Sequence, residues 1–203
     1  MTKRKKIIAA AFELISSKGY QGATTREIAK LAGVAEVTIF RHFANKESLF
    51  TEVLQTFSAI PTLAELMPKL KKMNYEDGVK TLTVRFVTRL EELRDWIRIL
   101  NTEVGCAPDI LQERYNSFMN QVFSALTEYF EDVHDRGLLR ADLEPLYAAR
   151  AFHSLTIGYF YVEGLLGAKS EVLETCDAMI DVFVDIFCLG TKAGDQGAVN
   201  TSR

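Results

Sequence analysis

Apolar residues recur at intervals of three and four along most of the chain, and apolar and polar positions almost never alternate for long. This spacing is typical of amphipathic α-helices and predicts an all-α protein. No segment of the sequence indicates a strand. Helices are expected over about residues 3–17, 24–32, 36–43, 46–60, 62–72, 76–93, 95–105, 109–136, 142–166 and 170–189.

Capping residues mark several of the expected helix ends. Gly19 suits a left-handed position just beyond the first helix. Thr24 and Glu27 have the spacing of a capping box, in which each side chain accepts a hydrogen bond from the backbone of the other residue. Asn45 can cap the fourth helix, which Pro61 is expected to stop. The capping residues therefore agree with the periodicity.

The second and third expected helices have the spacing of a helix-turn-helix. Counted from Thr25, the small residue Ala29 stands at position 5, where one helix crosses the other. Gly33 stands at position 9, where the chain must turn through a left-handed conformation. A small core is expected from Ile8, Phe12, Ile15, Ile28, Ala32, Val34 and Ile39.

The positions outside this core mix charged, polar and apolar side chains, which can meet phosphates, base edges and thymine methyl groups in a major groove. The start of the second helix offers free amides and a helix dipole that suit a phosphate, and so does the start of the fourth. DNA contacts are therefore expected from Thr24, Thr25, Arg26, Glu36, Val37, Thr38, Phe40, Arg41, His42 and Lys46.

An uneven charge distribution supports this interpretation. The chain of 203 residues has a formal net charge of -3, with 24 Lys and Arg against 27 Asp and Glu. Residues 1–50 hold nine of these bases and four of the acids, a balance of +5, which leaves 15 bases and 23 acids, or -8, for the rest. A positive first quarter fits a nucleic-acid partner, whereas the alternative is the solvated face of an ordinary helical bundle.

Residues 7–50 resemble the DNA-binding domain of TetR-family repressors, through the runs ATTREIA (23–29), AGV (32–34) and TIFRHFANKESLF (38–50). The resemblance implies a homodimeric repressor of double-stranded operator DNA, with a palindromic operator. Residues 1–50 would form the DNA-binding domain, followed by a connecting helix over about 46–60. Residues 51–189 would form a ligand-binding and dimerisation domain, and 190–203 a disordered tail. Phe40 stands where the family often has tyrosine, so a hydroxyl contact to DNA is absent here.

The last two expected helices are apolar over much of their circumference. One small bundle cannot easily cover both, so they are expected to pair with the same helices of a second subunit. The alternative is that they pack only against their own chain. The interface residues expected are Phe152, Phe160, Met179, Ile180, Phe183, Val184 and Phe187.

Large aromatic side chains in the middle helices are candidates for the lining of an effector cavity. A Met or aromatic stripe is also typical of plain core, and the resemblance is what favours a pocket for a small, mostly apolar effector. Glu103 and His153 lie in apolar contexts and could be its polar anchors, although a hydrogen-bonded histidine in the core is the more common case. The candidates are Phe86, Trp96, Glu103, Tyr115, Phe118, Met119, Phe123, His153 and Tyr159.

Other classes of protein have less support. No catalytic triad, paired carboxylate or phosphate-binding loop is evident, so an enzyme is not expected, and neither is a metal or another cofactor. Cys106, Cys176 and Cys188 are widely spaced in apolar patterns, which fits a reducing cytosol, although a redox-sensing regulator is the alternative function. No secretion signal is visible, and residues 152–167 are too short and too polar to span a membrane, so a cytoplasmic protein is expected.

Overall fold

The computed structural model describes residues 1–105, 109–165 and 176–194. Within these ranges the chain is helical, with only an isolated bridge between Leu139 and Lys192 and no strand, so the all-α prediction is confirmed. The helices are α1 (Lys3–Gly22), α2 (Thr25–Ala32), α3 (Glu36–His42), α4 (Lys46–Thr56), α5 (Ile60–Leu70), α6 (Tyr75–Glu92), α7 (Arg94–Gly105), α8 (Asp109–Asp135), α9 (Pro145–Tyr159), a π-helix (Phe160–Leu165) and α10 (Cys176–Thr191).

The chain divides into two compact units. The first contains residues 1–62 and 88–122, and the second contains residues 63–87 and those from 123 onwards. The division falls within α5, α6 and α8. Residues 88–122 therefore pack with α1–α4, whereas the sequence placed the end of the DNA-binding domain at residue 50.

One small core fixes α1–α4 to each other in the first unit. Ile7 and Ile15 of α1, Ile28 of α2, Ile39 of α3 and Val53 of α4 are all 2% exposed or less. Burying an aliphatic side chain of this size stabilises the fold by about 1.5–3 kcal/mol. The orientation of α3 is therefore set by its single buried residue, and its other sides face outwards.

Most of the predicted caps of these helices are present. Gly33 caps α2 with a φ of 66°, a value that residues with a Cβ rarely adopt. Gly19 also has a positive φ of 74°, but it lies at a kink inside α1, whose C-cap is Ala23, so the prediction that it follows the end of the first helix was wrong. The Thr24 hydroxyl accepts from the Glu27 amide at 3.2 Å, and Glu27 accepts from the Thr24 amide at 3.3 Å, which completes the capping box. Asn45 caps α4 by accepting a 2.8 Å hydrogen bond from the amide of Ser48.

Several predicted boundaries differ from the structure, including the end of the first helix, which runs past residue 17 to Gly22. The fourth helix ends at Thr56, and Pro61 lies in the first turn of α5, where a missing N–H costs nothing. The penultimate helix changes to a π-helix at Phe160 instead of continuing to residue 166. The last helix runs to Thr191, and the Ala193 amide then donates to the carbonyl of Leu138 at 2.9 Å, so residues 190–194 are ordered. Residues 195–203 lie outside the described part.

Aromatic side chains form the core of the second unit. The rings of Phe130, Phe152 and Phe187 pack together with centroids 5.7–6.0 Å apart. Tyr75 shares a buried 2.6 Å hydrogen bond with Thr191 at the end of α10. No described helix is both long enough and apolar enough to cross a membrane.

Candidate functional site

The third helix presents a mixed surface around its buried residue. Ile39 is fully buried, whereas Val37 is 59% and Phe40 is 50% exposed. Arg41 and His42 are also exposed at the end of the helix. The exposed surface of α3 therefore combines apolar and cationic side chains.

The hydroxyl of Thr24 is already used within the chain. Thr24 Oγ1 donates to Oε2 of Glu27 at 2.9 Å, and Lys18 Nζ lies 2.7 Å from Oε1 of the same carboxylate. The hydrogen bonds from Lys18 and then Thr24 lower the pKa of Glu27 to about 2. The capping box uses the amides of Thr24 and Glu27, so only the amides of Thr25 and Arg26 at the start of α2 stay suited to a phosphate.

The first turns of α2 and α3 are joined by side chains. Thr25 Oγ1 donates a 2.6 Å hydrogen bond to Oε1 of Glu36. Arg26, one residue further, is exposed. Of these three predicted DNA contacts, Arg26 alone has its side chain free of a bond within the described part of the chain.

Lys46 lies apart from the other predicted DNA contacts. Its ammonium donates to the backbone carbonyl of Tyr20 at 2.5 Å and lies 4.2 Å from the centre of the Tyr20 ring. The side chain is half-buried as a result. The ammonium thus uses one of its three donors at the end of α1, and a contact of Lys46 with phosphate stays a prediction.

The predicted dimer residues lie mostly inside a single chain. Phe152, Phe160, Ile180, Val184 and Phe187 are each 7% exposed or less. They have almost no surface left for a second copy to cover, so the prediction chose the wrong face of these helices. Met179 and Phe183 are half-buried.

The opposite faces of the last helices are apolar as well as exposed. On α10, Val182, Ile186 and Leu189 are 49%, 64% and 87% exposed and share one side of the helix at intervals of four and three. On α9 and the π-helix, Leu155 and Val162 are nearly half exposed. This apolar stripe is the surface that the sequence did not identify.

The predicted effector residues are divided between the two units. Trp96 packs in the first unit with its ring centroid 5.3 Å from Phe12 and 6.3 Å from Phe50, and it lines an open cavity of about 580 Å³ beside α1 in that unit, which the other predicted effector residues do not line. Tyr115, Phe118 and Met119 also belong to the first unit. Phe86, Phe123, His153 and Tyr159 belong to the second unit, and the side chain of Glu103 lies outside the described part.

His153 stands among aromatic rings in the second unit. Its ring centroid is 4.9 Å from that of Phe123 and 6.1 Å from that of Phe86. The guanidinium of Arg150 lies over the Phe123 ring, 4.6 Å from its centre. Burial, and then the charge of Arg150, lower the pKa of His153 to about 4, so the imidazole is neutral at pH 7.

An apolar cleft of about 170 Å³ lies among α6, α9 and α10 of the second unit. Its polar residues Thr83 and Thr156 turn their hydroxyls to backbone carbonyls of their own helices, each at 2.8 Å. The cleft therefore offers mainly hydrocarbon to a ligand. It is lined by Thr83, Val87, Leu155, Thr156, Tyr159, Met179, Ile180, Val182, Phe183 and Ile186. Leu155, Val182 and Ile186 also belong to the exposed apolar stripe, so the cleft opens on that stripe.

The one cysteine side chain that the structure describes does not favour the alternative of a redox-sensing regulator. Cys188 is buried, and burial, followed by the charges of Glu76 and Asp185, raises its pKa to about 12. A thiol in this environment stays protonated and is a poor nucleophile. Cys106 and the side chain of Cys176 lie outside the described residues.

Comparison with known proteins places this arrangement in a family. Residues 7–53 match the model for bacterial regulatory proteins of the tetR family, and residues 87–189, about half of the chain, match the C-terminal domain of AefR-like transcriptional repressors. The HTH-type transcriptional regulator YvkB of Bacillus subtilis is 31% identical over 158 residues, which are 77% of this chain and 80% of that protein.

Solved structures agree with the family models. A TetR-family transcriptional regulator of Mesorhizobium loti is similar with a TM-score of 0.74 and 26% identity, covering 94% of this chain and 97% of that one. FadR of Bacillus subtilis, solved in complex with stearoyl-CoA, shares the fold with a TM-score of 0.69 and 17% identity, covering 92% and 98% of the two chains. This chain therefore belongs to the TetR family of DNA-binding transcriptional regulators.

Proposed function

We propose that this protein is a homodimeric repressor that binds a palindromic operator through α3 and leaves it when a small, mostly apolar molecule binds in the second unit. The observation that carries the proposal is the arrangement of α3. Buried Ile39 fixes the helix, and Val37 and Phe40 remain half exposed beside the exposed Arg41. Apolar side chains can meet thymine methyl groups, and arginine can bind guanine or phosphate.

The other residues of this surface have supporting roles. Arg26 and the remaining amides at the start of α2 suit phosphates, whereas Glu36 and the capping Thr24 position the two helices. Lys46 is left out because its ammonium is held by Tyr20. The DNA-facing set is then Thr24, Thr25, Arg26, Glu36, Val37, Thr38, Phe40, Arg41 and His42.

Dimerisation follows from the exposed apolar stripe of the second unit. Val182, Ile186 and Leu189 would expose a continuous apolar surface in a single copy of the chain. A second copy related by a two-fold axis would pack the same residues against it and would also cover the opening of the cleft that Val182 and Ile186 line. Two α3 helices could then read the two halves of an inverted repeat.

The proposal that an effector binds in the second unit is based on the cleft lined by α6, α9 and α10. Its volume of about 170 Å³ is close to that of apolar cavities that accept benzene. FadR, which shares the fold, was solved with stearoyl-CoA, so an acyl chain is a reasonable first probe. Release requires that the ligand favour a conformation that DNA does not, and this coupling is reciprocal.

Selection of bound duplexes from a random DNA pool tests the DNA part. The expected result is an inverted repeat, and Val37→Ala should change the preferred base at one position in each half. Val84→Ala is the matched control, since Val84 is an exposed valine of α6. Selected sequences without two-fold symmetry, or none enriched at all, would contradict the proposal.

Thermal shift followed by titration of the complex tests the effector part. Naphthalene, decanol and stearoyl-CoA are the probes. A compound that raises the melting temperature should also weaken DNA binding by about 5- to 150-fold. Compounds that stabilise the protein and leave DNA affinity unchanged would show that the cleft is not an effector site.

A further inference from the structure

We infer that the basic segment of residues 3–6 is a second DNA contact, which binds phosphates beside the major groove that α3 reads. The inference rests on the proposed DNA-binding function and extends it to a surface outside the helix-turn-helix. It depends on where the segment lies and on which of its charges are free.

Arg4 holds the segment against the end of α3. Its guanidinium lies 5.2 Å from the centre of the Phe43 ring, and Phe43 is the buried residue that follows the last turn of α3. Arg4 Nη2 also lies 2.7 Å from Oε1 of Glu52 on α4. Arg4 therefore packs on the residue that directly follows Arg41 and His42, the last residues of the proposed DNA-reading helix.

The lysines of the segment carry free charges. Lys3, Lys5 and Lys6 are exposed, and none forms an ion pair within the described part of the chain. Arg4 differs, because Glu52 balances its charge. Glu52 thus neutralises Arg4, whereas the three lysines leave three positive charges in solvent near the end of α3.

The other cations of residues 1–50 also divide into those that bind a partner within the chain and those that do not. Lys18 pairs with Glu27, and Lys46 binds the carbonyl of Tyr20. Lys46 aside, the cations left without an ion pair in the described part of residues 1–50 are Lys3, Lys5, Lys6, Arg26, Lys30 and Arg41. Three of these six positive charges therefore lie in the basic segment.

Phosphate is the group that this chemistry fits. Lysine carries a compact charge on a flexible stem and lacks the planar fork with which arginine reads guanine. The segment should therefore add affinity without adding base preference. Each phosphate neutralised releases condensed counterions, so the contribution appears as a steeper dependence of affinity on salt.

The test compares two double variants with the same change of charge. Lys3→Gln/Lys6→Gln removes two lysines three residues apart in the basic segment, and Lys69→Gln/Lys72→Gln removes two exposed lysines with the same spacing in the second unit. Binding of the full-length proteins to a random-sequence duplex is measured by fluorescence anisotropy over a range of salt concentrations. Circular dichroism checks that both variants fold like the parent protein.

The expected result is a smaller salt slope for the first variant, by roughly 0.9 for each phosphate that the variant no longer neutralises, and a parental slope for the control. Lys5→Gln added to the first variant should reduce the slope again. Equal slopes for both double variants would overturn the inference. A parent protein that shows no salt-dependent DNA binding would instead overturn the proposed function.

Discussion

The hydroxyl of Thr25 donates a 2.6 Å hydrogen bond to Oε1 of Glu36, which links the first turn of α2 to the first turn of α3. Ala35 precedes α3 and provides no side-chain cap. The hydrogen bond between Thr25 and Glu36 therefore helps to fix the start of α3 against α2. Glu36 thus faces its own chain, although a negative charge on a DNA-binding surface also repels phosphate.

Glu36→Gln is expected to strengthen binding to all duplexes by about 2- to 5-fold, because the amide oxygen still accepts from Thr25 while the negative charge is removed. Base preference should not change. Anisotropy titrations with the selected operator and a scrambled duplex measure both effects, and Glu65→Gln on the exposed side of α5 is the control. A new preference at one base pair would show that Glu36 reads a base.

The conformation of α2 and α3 could be predicted because its determinants are local. The capping box of Thr24 and Glu27, the left-handed Gly33 and the buried Ile39 lie within a stretch of 16 residues. Each acts through backbone geometry or helical spacing, which a sequence displays directly. The position of Lys46 could not be predicted in this way, because its partner is a backbone carbonyl 26 residues earlier.

The faces of α10 could not be assigned from the sequence for a different reason. Ile180, Val184 and Phe187 are buried, while Val182 and Ile186 are exposed, and both groups have helical spacing. Periodicity identifies a buried face only where the other face is polar. Which of the two faces of α10 is buried depends on packing against residues distant in sequence, such as that of Phe187 against Phe130.

Lys46→Met is expected to lower the free energy of unfolding by about 1.5–3 kcal/mol, since a charged donor to the Tyr20 carbonyl is removed. The salt dependence of DNA binding should stay the same. Arg41→Met should do the reverse, with little loss of stability and a slope smaller by roughly one. Urea unfolding and salt titrations separate the two effects, and a smaller slope for Lys46→Met would return this residue to the DNA-binding surface.

Ile186→Glu is expected to give folded monomers with weak operator binding. The side chain is 64% exposed in one chain, so a carboxylate does not disturb the core, but a dimer would have to bury it unpaired. Sedimentation velocity measures the mass, and Val84→Glu, at an exposed valine of α6, is the control. Phe187→Glu should unfold the chain instead, and a dimeric Ile186→Glu protein would exclude the apolar stripe as the interface.

His153 predicts a specific loss of stability in acid. Its pKa is lowered to about 4 in the folded chain, below the ordinary value of 6.5, so the unfolded chain binds the proton more readily. Stability is therefore lost as the pH falls from about 6.5 to 4. His153→Leu should reduce this loss by roughly 1 to 3 kcal/mol, which urea unfolding at several pH values can measure.

His134→Leu is the control for this effect, because His134 is partly exposed beside Asp135. Its pH profile should follow that of the parent protein. The structure shows a buried imidazole. If His153→Leu and the parent protein lose stability in parallel between pH 6.5 and 4, this burial of His153 is wrong.

Met179→Trp is expected to remove the response to an effector while preserving DNA binding. Met179 is half-buried and lines the apolar cleft, and a larger rigid ring at this position would occupy the space among α6, α9 and α10. Compounds that raise the melting temperature of the parent should no longer do so in the variant. Operator affinity without ligand should stay within a few-fold, because α3 is unchanged.

Met73→Trp provides the matched control, since Met73 is also half-buried in the second unit but lies outside the cleft. It should keep both the thermal shift and the release of DNA. The reciprocal measurement closes the argument: operator DNA should weaken ligand binding to the parent and to Met73→Trp by the same factor that the ligand weakens DNA binding. A Met179→Trp protein that still releases DNA on adding the ligand would place the effector elsewhere in the chain.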